Sequence, residues 1–394
     1  MSLYLANFVI IELKEGIGMG ETIGLYIHIP FCQKHCHYCD FLKFVDHDDK
    51  IDQYVDYLVK EMALYQEKDY QLDTIYFGGG TPSYIESHLM TKIMDGIRKY
   101  FTILDDCEIS IEMNPESVNR EKIQTYLDNG FNRFTMGVQS FNNEVLRMMG
   151  RLHDRQTVLD KVKLCRQMGI KNLGIDLMFA NPKQTMDILL DDIDQAMKLD
   201  VNHISYYSLM IKEGTPFERW VQTKQIQLFD DEDEREMYHT IQKTLKAHGF
   251  EQYEISNFCK HQSMSRHNSK YWTLQNYIGL GMGASSNIDL VRFTNTRRFD
   301  KYFEMIDQGE FPVQYSEKMT FEDREKEYIM LNLRLLKGFN IKEINQKFNI
   351  DFMTKYQKAI EKHLAAGVIE ITDDRLVFTD FGLDVGNQFY LDIL

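Results

Sequence analysis

Cysteine is scarce, with 6 in 394 residues. That is too few for a disulfide scaffold, which packs cysteines densely into a short chain. Basic charge is in deficit: 45 Lys and Arg stand against 60 Asp and Glu, a formal net charge of −15. The surface as a whole therefore repels nucleic acid and anionic lipid, and no nucleic-acid partner is expected. No run of about 18 uncharged apolar residues occurs, which excludes a transmembrane helix and leaves only transient association with a membrane. The apolar stretch from Leu3 to Ile11 lacks the basic leader and small-residue cleavage pattern of a secretory signal. A cytoplasmic location with reduced thiols is the expectation. Leu3–Leu13 reads as an edge strand or covering segment, and Met19 is an alternative start. Neither internal repeats nor low-complexity tracts are present. What remains is an ordinary globular balance, 43% hydrophobic and 27% charged.

Short apolar runs alternate with amphipathic stretches between residues 24 and 209. Strands are predicted at Gly24–Pro30, Leu72–Phe77, Cys107–Met113, Arg133–Val138, Leu173–Phe179 and Val201–Leu209, with helices between them. Six β-to-α units predict an α/β fold, a partial (β/α)6 TIM-like barrel that is open rather than closed. Polar and glycine residues follow the strands at Cys32, Gly78, Asn114, Gln139, Asn181 and Ser208, where barrel-like folds carry their chemistry. The acidic stretch within Thr223–His248 reads as a solvated helix face. Phe250–Asp289 reads as a loop-dominated insertion beside the barrel mouth. Thr320–Leu336, Ile341–Phe348 and Phe352–Ala366 read as three helices, followed by a hairpin around Asp373–Asp374, a winged-helix-like pattern. The expected division is an N-terminal extension (1–23), a partial barrel (24–215), an added α/β segment that completes it (216–310) and a C-terminal winged-helix-like domain (311–394).

The strongest local signal is Cys32-x3-Cys36-x2-Cys39, directly after a strand. Three thiols so close in sequence can converge on one soft metal centre. A [4Fe–4S] cluster on three thiolates leaves one iron open for chemistry. The alternatives are a structural zinc, which needs a fourth ligand such as His35 or His37, and a catalytic dithiol. Cys107 and Cys165 fall inside element patterns and read as core residues; Cys259 is open to either reading.

These cysteines and their flanks, Tyr26-Ile27-His28-Ile29-Pro30-Phe31-Cys32 and Tyr38-Cys39-Asp40-Phe41, resemble the radical S-adenosylmethionine superfamily and, within it, the oxygen-independent coproporphyrinogen III oxidase group. The resemblance continues through Phe77-Gly78-Gly79-Gly80-Thr81-Pro82-Ser83, Glu112-Met113-Asn114-Pro115-Glu116, Gly137-Val138-Gln139-Ser140-Phe141, Asp176 and Arg266-His267-Asn268-Ser269-Lys270-Tyr271-Trp272. It spans roughly residues 24 to 394. Two features look more like the group's haem-chaperone branch than its oxidases. Oxidases carry a further cysteine where this chain has Phe41, and a longer N-terminal segment than the 23 residues that precede Gly24. The His267-Asn268-x-x-Tyr271-Trp272 motif is also typical of that branch. Met1–Gly24 is longer than the branch's usual start.

The resemblance implies a [4Fe–4S] cluster on Cys32, Cys36 and Cys39, S-adenosylmethionine bound at its open iron, and reductive cleavage of the sulfonium to a 5′-deoxyadenosyl radical. It implies that Gly78, Gly79, Gly80 and Thr81 meet the methionine end. Glu112, Gln139 and Asp176 would hold amine, ribose or adenosine groups, and Arg151 the methionine carboxylate. Tyr26 and His28 would lie on the cofactor side or pack within the strand. His267 would be a haem ligand or part of a hydrogen-bond network against the barrel. Implied partners are haem or another tetrapyrrole, a haem-accepting protein and an electron donor for the cluster. The rival functions are decarboxylation of coproporphyrinogen III and another radical reaction on a tetrapyrrole; no catalytic residue is assigned.

Overall fold

The computed structural model describes residues 20–394. The segment read as an edge strand or covering piece, and the alternative start at Met19, lie outside the described residues.

Six strands form the heart of the fold: β1 (Thr22–Ile29), β2 (Gln71–Gly79), β3 (Thr102–Met113), β4 (Arg133–Gln139), β5 (Leu173–Phe179) and β6 (His203–Ser208). They pair in sequence order, each parallel to the next. Strands covered on both faces read as nearly continuous apolar runs, which is why all six are legible in sequence. Helices return the chain between them. Several begin on a side chain that accepts from a first-turn N–H: Asn119 for Arg120–Asp128, Asp154 for Arg155–Gln167 and Thr185 for Met186–Lys198. The barrel is open, as expected from six units, because β1 and β6 have different outer neighbours.

Phe250–Asp289 departs from its loop-dominated expectation. It contributes β7 (Glu251–Gln252), β8 (Asn257–Cys259), β9 (Tyr277–Leu280), β10 (Ser285–Ile288) and the helix Arg266–Trp272. With β11 (Val291–Asn295) and β12 (Val313–Lys318), these strands extend the barrel sheet on both sides to twelve, in the order β12-β11-β10-β9-β1-β2-β3-β4-β5-β6-β8-β7. The sheet therefore runs past the boundary expected at 311. Glu61, fully buried, ties this extension to the helix Ile51–Ala63: it accepts from Gly281 N–H (2.8 Å), Asn295 Nδ2 (2.7 Å) and Tyr302 Oη.

A second core, built on Ile329, Leu333, Phe339, Ile344, Phe352 and Leu376, organises the C-terminal part. Its helices carry β13 (Phe339–Asn340), β14 (Ile369–Thr372) and β15 (Arg375–Phe378), with Asp373 and Asp374 both at positive φ in the hairpin turn. The third expected helix is broken at Tyr356, and two further short helices, Asp380–Val385 and Asn387–Ile393, close the chain. The acidic helix Asp231–Ala247 buries Met237, Ile241 and Leu245 and leaves Asp231, Glu232 and Asp233 of its first turn exposed.

Candidate functional site

The loop after β1 is closed at its base. Phe44 N–H donates to Pro30 O (2.6 Å) and Cys32 N–H to Phe44 O (3.0 Å). Its middle is pinned to the segment after β4: His37 N–H donates to Met149 O (2.9 Å), and His37 Nδ1 bonds Met148 O (2.8 Å). That ring also packs edge-on against Trp220. His37 is thus committed to holding the loop, and His35 is exposed. Cys32, Cys36 and Cys39 are free thiols that line one hollow of about 1640 Å³, counting its open mouth. Among the described residues no three His, Cys, Asp or Glu side chains converge closely enough to hold a single metal ion. A structural zinc needs a fourth ligand, and His37 is already committed to Met148 O and packed on Trp220. Three thiols that share one hollow suit a cluster with one iron left open. Burial pushes the Cys32 thiol up to about 11, so an uncompensated thiolate is costly there. Arg151 supplies compensating charge, with Nη1 3.6 Å from Cys36 Sγ.

Gly79 and Gly80 bring the end of β2 against this loop. Gly79 sits at φ +115°, and a Cβ there would meet the His28 ring at 2.6 Å. A Cβ on Gly80 would lie 3.0 Å from Cys32 Sγ and 2.9 Å from Phe31 O. Only glycine permits both the backbone conformation and the approach. Gly80 N–H donates to Ile29 O and Thr81 N–H to Phe31 O, both at 2.9 Å. Thr81 Oγ1 lies 3.3 Å from Cys32 Sγ and accepts from Asn114 Nδ2 (3.1 Å). Gly78 faces the barrel lumen instead, against Tyr26, Tyr76 and Glu112.

The remaining strand ends converge on the same hollow. Glu112, Gln139, Arg151 and Asp176 all line it. Gln139 takes φ +69° to leave β4. Arg151 Nη2 donates to Asn114 Oδ1 and Gly137 O, each at 2.7 Å, while its buried Nε has no partner among the described residues. An orphaned guanidinium donor beside three thiols suits an anionic ligand. Tyr76 Oη donates to Glu112 Oε1 (2.7 Å), and Gly79 N–H bonds the same carboxylate. Burial, reinforced by Asp176, still pushes Glu112 up to about 7; burial raises Asp176 to about 6. Glu112 holds its proton more tightly folded than unfolded. Its contribution to stability is therefore present below the ordinary carboxylate range and lost as pH rises through about 7. Between pH 5 and 8 the native chain should lose on the order of 3 kcal/mol relative to Glu112→Gln. Urea titrations of both proteins across that range check this, and parallel curves would show that Glu112 is not the group responsible.

Besides Gly78, three expected residues lie elsewhere: Tyr26, His28 and His267. Tyr26 Oη bonds His28 Nδ1 (2.9 Å), and both line a neighbouring hollow with Phe41 and Tyr271 rather than the cysteine hollow. His267 is 0% exposed. Its Nδ1 bonds Thr74 Oγ1 and its Nε2 bonds Tyr271 Oη, both at 2.9 Å. The ring stacks on Tyr76 at 5.2 Å, and burial lowers its pKa to about 3. Both ring nitrogens are thus engaged. In this conformation His267 stands within a hydrogen-bond network against the barrel. The helix that carries it packs on β2 inside the barrel rather than beside the mouth. A Cβ on Gly24, at the start of the inner face of β1, would strike Lys270 at 2.9 Å. Tyr76, which joins His267 to Glu112, carried no role in the sequence reading. Its alternation with Thr74 and Gly78 on one face of β2 was the signal available.

The sequence pattern of the radical SAM superfamily matches residues 26–196, and that of the HemN C-terminal domain residues 319–385. Among curated relatives, the heme chaperone HemW of Bacillus subtilis strain 168 is 34% identical over 93% of this chain and 97% of its own. The heme chaperone HemW of Escherichia coli K12 is 33% identical over 80% of this chain and 83% of its own. Among solved structures, coproporphyrinogen III oxidase (HemN) of Escherichia coli superposes with a TM-score of 0.85 at 20% identity, covering 98% of this chain and 93% of that one. That last likeness is one of fold.

Proposed function

The chain belongs to the HemW family of haem chaperones, within the radical SAM superfamily, and from that membership we propose that it binds haem and hands it intact to an acceptor protein. The observation that carries this reading is identity of about one third across nearly the whole length of both chains. A [4Fe–4S] cluster on Cys32, Cys36 and Cys39, with S-adenosylmethionine beside it, completes the holoprotein. When bound, the cluster supplies a low-potential electron and the sulfonium its acceptor.

The chain's own residues set the conditions for that pair. Arg151 offsets the charge of the cysteine thiolates and offers its free Nε to a carboxylate. Gly79 and Gly80 clear backbone space beside Cys32 for the methionine end. Glu112, neutral or charged near pH 7, meets an amine or hydroxyl donor, and Gln139 and Asp176 do the same further along the hollow. Asn114 holds Thr81 and Arg151 in register. An external electron donor serves the cluster, and the acceptor is a haem-requiring protein. No helix among the described residues is long and apolar enough to cross a membrane. A cytoplasmic chain that touches a membrane only transiently accords with this reading. The four-part division of the chain is retained as a proposal, with the barrel sheet extended through β12.

The oxidase reading survives on one observation, the complete set of strand-end residues around the cysteine hollow. Anaerobic incubation of the cluster-loaded chain with coproporphyrinogen III, S-adenosylmethionine and reductant separates the two. Porphyrin masses should stay unchanged. Repeated turnover to protoporphyrinogen IX would make the chain an oxidase despite Phe41.

A further inference from the structure

Four exposed large hydrophobic side chains border the mouth of the cysteine hollow. They are Phe41 (67% exposed), Met210 (64%), Leu152 (45%) and Tyr207 (39%). They arrive from three separate segments: the cysteine loop, the turn after the helix Asn143–Met149, and the end of β6 with the residues beyond it. Local sequence does not bring them together; the fold does. Apolar side chains gathered from distant segments at one opening mark a binding surface.

The rim also carries cations, with the hollow's carboxylates at Glu112, Glu116 and Asp176 among its other lining residues. In a chain of net charge −15, Lys34, Lys43 and Lys212 all stand at this mouth, with Asp40 beside them. Lys43 is engaged by the carbonyls of Cys39 and Phe41. The ammonium groups of Lys34 and Lys212 have no hydrogen-bond or ion-pair partner among the described residues. Exposed apolar side chains edged by free ammonium groups complement an apolar ring edged by carboxylates, which is the chemistry of haem. No histidine lines this hollow. Its most exposed soft donor is the Met210 thioether, and a thioether is an established axial ligand for haem iron.

We propose that haem docks across this mouth, its ring against Phe41, Leu152 and Tyr207, its propionates on Lys34 and Lys212, and Met210 as an axial ligand. This rests on the haem-chaperone reading and gives it a place and a ligand. The ring then caps the hollow that holds the cluster and S-adenosylmethionine.

The test uses the full chain with cluster iron and sulfide verified, titrated anaerobically with ferrous haem and followed in the Soret region. Met210→Leu keeps the apolar surface and removes the donor. It should change the ferrous haem spectrum and weaken binding about tenfold, with cluster content unchanged. Lys34→Glu with Lys212→Glu should weaken haem about tenfold while leaving the affinity for haem dimethyl ester, which lacks free carboxylates, within about twofold. Leu152→Asp should weaken both ligands. Unchanged spectra and affinities in all three variants would overturn this docking site while the chaperone reading stands. Loss of self-association in Leu152→Asp with unchanged haem binding would assign the surface to a second copy and overturn the proposal. Absence of saturable haem binding by the unaltered chain would overturn both.

Discussion

Replacing Cys32, Cys36 or Cys39 with alanine should strip the chain of cluster iron and sulfide, to less than about a tenth of the unaltered content. Each thiolate holds one corner, and the remaining two leave a second iron open and unprotected. The histidines nearest in sequence do not rescue it. His37 is bonded to Met148 O and packed on Trp220, and His35 is exposed. The protein should still fold, since losing the Cys32 thiol removes one small buried group, at a cost of about 1 kcal/mol. Alanine at Cys107, Cys165 or Cys259, all buried away from the hollow, should leave iron and sulfide unchanged. Iron and acid-labile sulfide assays on anaerobically reconstituted proteins check both halves. Full retention in any of the first three variants would remove that cysteine as a ligand.

Gly79→Ala should abolish S-adenosylmethionine binding, by about a hundredfold or more, with most cluster iron retained. Alanine must adopt φ near +115° and place its Cβ 2.6 Å from the His28 ring. His28 cannot easily withdraw, since its Nε2 bonds Leu42 O (3.1 Å) and its Nδ1 bonds Tyr26. The backbone strain costs on the order of 1–3 kcal/mol, and the clash adds to it. The loop must shift, taking with it the Gly79 N–H that bonds Glu112 and the Thr81 contact with Cys32. Equilibrium dialysis with labelled S-adenosylmethionine reads the effect. Native affinity with full iron would show that the loop does not shape the cofactor site.

The barrel and the cysteine loop were legible in sequence for definite reasons. β1 to β6 are apolar runs between amphipathic helices, and the three thiols lie in one continuous segment. The extension strands were less legible because they are short and mix buried polar residues with buried apolar ones. Asn287 and Asn295 are 3% and 1% exposed within β10 and β11, and Asn295 is paired with Glu61 from the far helix Ile51–Ala63. Local composition cannot announce such a partner, so the segment reads as loop. The surroundings of His267 were hidden for a similar reason. The sequence shows an imidazole near aromatic residues, and the i, i+4 spacing to Tyr271 was visible. That the helix carrying it packs on β2 and engages both nitrogens depends on Thr74, nearly two hundred residues earlier. The break at Tyr356 and the two closing helices depend on packing within the second core, not on any glycine or proline signal.

The most direct measurement is a Soret titration of the cluster-loaded chain with haem, followed by mixing with an apo-haem protein such as apomyoglobin as the trap. Saturation at about one haem per chain, then transfer of haem of unchanged mass, is the predicted result. A chain with full iron and sulfide that binds no haem saturably, or that returns a chemically altered tetrapyrrole, would contradict a haem chaperone.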